Sequence, residues 1–137
     1  MNEEKKGFKL SNFETDEKKE VEGVWHEYAP GFKLRIARAN NPKSEQLRAK
    51  LLEPHIIAMR HGKMDADVLS NIVKEVYAKT ILVDWEGMLD EEGNEIPYNL
   101  ENALKALDLK DFFDVVHNYA ESMRNYKKVV VDEAVKN

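Results

Sequence analysis

Cysteine is absent from the 137 residues. That excludes disulfides, thiolate nucleophiles and Cys-ligated zinc or iron–sulfur sites. It also favours a reducing compartment, because small secreted domains more often carry bridges. Long apolar runs are missing too: none approaches the roughly 18–20 residues that span a bilayer. The start, Met1-Asn2-Glu3-Glu4-Lys5-Lys6, is charged and no apolar segment follows it, unlike a secretory signal. A soluble cytoplasmic protein is the expectation. The six glycines are scattered, with no phosphate-cradling loop among them. The serines, Ser11, Ser44, Ser70 and Ser122, lie outside any nucleophile elbow.

Hydrophobic residues make up 42% of the chain and charged residues 34%. At this length one hydrophobic core forms without staples. The formal net charge is −5, and the acid is concentrated. Asp84, Glu86, Asp90, Glu91, Glu92 and Glu95 fall within residues 84–95, which contain no Lys or Arg. Outside that stretch the charges nearly balance. Such a surface repels phosphate, so no nucleic-acid partner is expected.

Neither metal nor acid–base chemistry emerges from the remaining polar residues. His55 and His61 are six apart, about 240° around a helix, too far to share a metal without a break. His26 and His117 have no ligand spacing with them, so all four read as core or solvent histidines. The acidic stretch fails as a calcium loop in both registers. With Gly93 at the turn glycine the first ligand position is Met88, and with Gly87 it is Leu82. Paired carboxylates need a pocket that separates their affinities for protons, and no pattern here builds one. The sequence therefore points to no catalytic residue, no metal and no cofactor: a binding protein rather than an enzyme.

Patterning predicts an α+β, predominantly helical fold: an N-terminal β-hairpin packed on a bundle of about five helices. Residues 1–20 carry eleven charges of mixed sign and read as a flexible arm, with Phe8, Leu10 and Phe13 as its only anchors. Residues 21–126 read as one domain, and 127–137 as a fraying tail. Phe32, Leu34 and Ile36 alternate with polar neighbours, as in a half-buried strand. A run rich in β-formers (Val24, Trp25, Tyr28) precedes them, and Pro30-Gly31 supplies the turn. Asn41-Pro42 starts a helix, which Pro54 breaks; a short helix then runs from His55 to about His61 and stops at Gly62. The clearest periodicity is Val68, Leu69, Ile72, Val73, Val76, Tyr77, Thr80, Ile81, a long amphipathic helix. Trp85 falls where that helix ends, either as a core anchor or as a partner-facing aromatic. A polar turn at residues 90–95 leads to two more helices, one capped by Asn99 and one bearing Phe112, Phe113, Val116 and Tyr119.

Residues 81–107, I-L-V-D-W-E-G-M-L-D-E-E-G-N-E-I-P-Y-N-L-E-N-A-L-K-A-L, form an ordered set: Trp-x-Gly, an acidic Gly turn, a Pro-aromatic pair, a cap and a short helix. With Trp25, the strand 32–38 and Asn41-Pro42 upstream, this order resembles the tail assembly chaperones of tailed bacteriophages. The similarity covers about residues 21–126. Asn99 stands where Ser or Thr is more typical, and Asn caps equally well.

The resemblance implies a non-enzymatic protein of phage or prophage origin acting in the bacterial host cytoplasm. Its expected partners are the tape-measure and tail-tube proteins, with a frameshift-extended form in some family members; the number of apolar stripes in so short a chain further predicts self-association into a homo-oligomer. The alternative is a tail completion or connector subunit retained in the virion. Trp85, Asp90, Glu91, Glu92 and Tyr98 are the residues the sequence offers for contact with a protein partner.

Overall fold

The computed structural model describes residues 5–128. Residues 1–4 of the expected arm and 129–137 of the expected tail lie outside the described residues.

The hairpin forms where the alternation places it: β1 is Val24–Ala29 and β2 is Phe32–Ile36, antiparallel, joined through Gly31 at φ +80°. A third strand extends the sheet. β3, Leu82–Glu86, pairs antiparallel with β2, giving the order β1-β2-β3. Leu34 stands opposite His26 on one side and Trp85 on the other; Ile36 stands opposite Val24 and Leu82. The register slips between Arg35 and Ile36, which leaves Val83 as the extra residue of β3. This bulge turns both Leu82 and Trp85, three residues apart, toward the core. The other face carries cross-strand charges: Lys33 lies between Glu27 and Glu86, and Arg35 between Trp25 and Asp84.

Helices cover the apolar face, so the fold is α+β and predominantly helical. α1 is Glu17–Glu22, α2 Pro42–Leu52, α3 Ile56–Arg60, α4 Ala66–Thr80, α5 Leu100–Leu107 and α6 Lys110–Glu121. Side chains cap the starts of α1, α2, α4 and α5. The Asp16, Asn41, Asp65 and Asn99 side chains each accept a hydrogen bond from a backbone N–H of the following turn. α4 buries Ile72, Val76, Tyr77 and Ala78; α5 adds Ala103 and Leu107, and α6 adds Val116 and Ala120. These close over Leu34, Ile36, Leu82 and Trp85 in one cluster.

Part of the expected arm holds structure. Leu10–Phe13 form a 3-10 turn, and α1 follows, capped by Asp16. The backbone N–H of Asp16 donates to the Tyr126 carbonyl at 2.9 Å, and Arg38 meets the Glu20 carboxylate at 2.5 Å. Thr15 and Lys127 form an isolated antiparallel bridge, so the segments preceding α1 and following α6 lie side by side there.

Candidate functional site

The acidic turn is a built element. Leu89 and Glu95 bridge across it, and Ile96 N–H donates to the Met88 carbonyl at 2.7 Å. The Asp90 carboxylate accepts from the N–H groups of Glu92 (3.0 Å) and Asn94 (2.9 Å), an Asx-type turn. Asp90 is thereby committed to the backbone, whereas Glu91, Glu92 and Glu95 are exposed, as is Leu89 at 54%. Among the described residues, no cluster of three or more His or acidic side chains has the geometry to hold a metal ion.

Trp85 and Tyr98 are brought together, but inward. Trp85 is 5% exposed, and its Nε1–H donates to the Ile96 carbonyl at 2.8 Å. The Tyr98 hydroxyl sits beside the carbonyls of Leu82 (2.6 Å) and Ala78 (3.2 Å), and the two rings meet edge to face at 5.2 Å. These aromatics fasten the 87–98 segment to β3 and α4. A partner approaching this region meets Glu91 and Glu92, not the Trp85 indole. Trp25 is the more exposed tryptophan, at 40%.

A second arrangement carries no local signal in the sequence. Between α2, α4 and α6 lies a cleft of about 240 Å³ lined by Asn40, Arg48, Tyr77, His117 and Glu121, among others. The Tyr77 hydroxyl lies 2.5 Å from His117 Nδ1, and His117 Nε2 lies 3.2 Å from a Glu121 carboxylate oxygen. Burial, and secondarily Glu121, push the Tyr77 hydroxyl up to about 12, so it stays protonated. In the neutral imidazole Tyr77 then donates to Nδ1, and Nε2–H donates to Glu121. Both ring nitrogens are engaged, and the chain clamps α6 onto α4. Phe113 stacks on His117 at 5.9 Å. The 40-residue separation of Tyr77 from His117 hides this contact from local pattern reading.

The third feature is α3. Pro54 ends α2 and a 3-10 turn over Glu53–His55 redirects the chain. No residue of α3 is buried. Ile56, Ile57 and Met59 are 42%, 70% and 44% exposed, an apolar ridge on a five-residue helix. Arg60 follows at its end and Lys63 just beyond.

Compared with known families, residues 30–137 match the family model of the YdaY prophage protein. The chain belongs to that family. It is a prophage protein, the origin that the 81–107 stretch led us to expect, and the match takes in that whole stretch. No curated protein and no solved structure matches the chain. Among the described residues no helix is long and apolar enough to cross a membrane.

Proposed function

We propose that this YdaY-family protein is a non-enzymatic assembly chaperone of phage tail morphogenesis. It binds apolar helical segments of the tape-measure protein and recruits tail-tube subunits in the host cytoplasm, then departs before the particle is complete. The α3 ridge carries this reading. Ile56, Ile57 and Met59 stand in water on a helix that contributes nothing to the core, and an exposed apolar ridge of this kind suits a partner helix. Family membership supports the prophage origin, and the order of motifs at 81–107 is the resemblance from which the finer role is drawn.

A retained tail completion or connector subunit is the competing role, and protein content separates the two. The chaperone is present in lysates of induced cells and absent from purified particles. Stoichiometric recovery from washed particles contradicts the chaperone reading in favour of the connector.

A further inference from the structure

Two surfaces of this chain carry opposite charge and exposed apolar groups. The first is the knob at residues 5–13. Phe8, Leu10 and Phe13 are 70%, 83% and 55% exposed, and Lys5, Lys6 and Lys9 are exposed beside them. The Phe8 and Phe13 rings meet edge to face at 5.3 Å, and Lys127 Nζ lies 5.1 Å over Phe13. The knob is fastened at its base: Glu14 N–H donates to Ser11, and Lys128 N–H donates to Glu14. The second surface is the acidic turn, whose Asx geometry presents Leu89, Glu91, Glu92 and Glu95 to solvent. Among the described residues no salt bridge joins an acid of residues 84–95 to a base, and none uses Lys5, Lys6 or Lys9. Among the described residues, Lys5, Lys6 and Lys9 and the carboxylates of Glu91, Glu92 and Glu95 have no partner of opposite charge.

We infer that the aromatic–lysine knob of one copy seats on the acidic turn of a second copy. Leu89 packs against the Phe8 and Phe13 rings, and the lysines meet Glu91 and Glu92. Opposite charge on the two rims selects this pairing and suppresses knob-to-knob and turn-to-turn contact. Each contact joins different patches and is heterologous: a pair joined by one contact keeps one free knob and one free turn, and association continues into a ring or a chain. This inference is independent of the tape-measure reading.

Sedimentation velocity on the purified full chain alone tests it. The expected result is a mass that rises beyond a dimer with concentration and falls back with added salt. Glu91→Lys/Glu92→Lys and Lys6→Glu/Lys9→Glu each abolish self-association, and an equimolar mixture of the two variants restores it. Circular dichroism checks that both variants, altered only at exposed side chains, keep the fold. A chain that stays monomeric at every concentration overturns the inference. So does association that both charge reversals leave intact, which would mean another surface carries it.

Discussion

Gly87 lies against the β1–β2 turn so closely that a methyl group on its α-carbon would overlap the carbonyl oxygen of Gly31. Its φ is +80°, which an L side chain adopts only at a cost of about 1–2 kcal/mol. Gly93, in the acidic turn, has a similar φ of +88° but open space around it. Gly87→Ala therefore combines the backbone cost with a clash against backbone that cannot step aside, and we expect a loss of about 3 kcal/mol or more. Gly93→Ala loses only the first component. Urea unfolding of the two variants measures the difference directly.

Trp85→Phe removes the indole donor and leaves the Ile96 carbonyl without it, besides opening space beside Tyr98. We expect about 2–4 kcal/mol of destabilisation. Emission from the variant then comes from Trp25 alone, 40% exposed, so its spectrum shifts to the red. An unshifted spectrum would mean that Trp85 is not the buried one.

Asn41 is 2% exposed, and its side chain makes three hydrogen bonds. Its oxygen accepts from Ser44 N–H at 3.0 Å, and its amide nitrogen donates to the carbonyls of Arg38 (2.8 Å) and Thr80 (3.1 Å). It is at once the cap of α2 and a tie to the end of α4. Asn41→Ala loses about 1 kcal/mol for the cap and more for two carbonyls left wanting. Asn41→Asp keeps the cap acceptor but turns a carboxylate oxygen on the two carbonyls, so thermal denaturation should show it at least as destabilised as Asn41→Ala.

Alkaline stability should depend on the buried tyrosines. Tyr77 is raised to about 12 in the folded protein, chiefly by burial, and Tyr126 is raised further for the same reason. An unfolded tyrosine ionises near 10, so between about 10 and 12 the unfolded chain has lost protons that the folded chain keeps. The stabilisation is complete below 10 and falls as pH rises through that window. Urea midpoints across the window should drop, and less steeply for Tyr77→Phe, which has no proton to lose there. Equal slopes would mean that Tyr77 is not held above its ordinary range.

Much of this architecture was legible from residue pattern. The hairpin at Pro30-Gly31, the Asn41-Pro42 start, the stripe along α4 and the Asn99 cap each follow from a local rule and recur in the structure. β3 was not, because five residues running straight on from α4 continue its apolar character. Their strand identity comes from pairing with β2, some fifty residues earlier. α1 was hidden by its mixed charge; its hold on the fold comes through Arg38 and Tyr126, far away in sequence. At the expected contact site the acids of the turn lay on the surface, whereas Trp85 faced the core, because the bulge at Val83 decides which way that side chain points.

Capture from cells decides whether this prophage protein binds the tape-measure protein through α3. A tagged copy is co-expressed with the tape-measure and tail-tube proteins of its own prophage and recovered, beside Ile57→Glu. Ile57 is 70% exposed, so the charge leaves stability within about 0.5 kcal/mol. The unaltered chain should bring down the tape-measure protein, and the equally folded variant should not. Recovery of neither tail protein by the unaltered chain, or equal recovery by both, would contradict binding through α3.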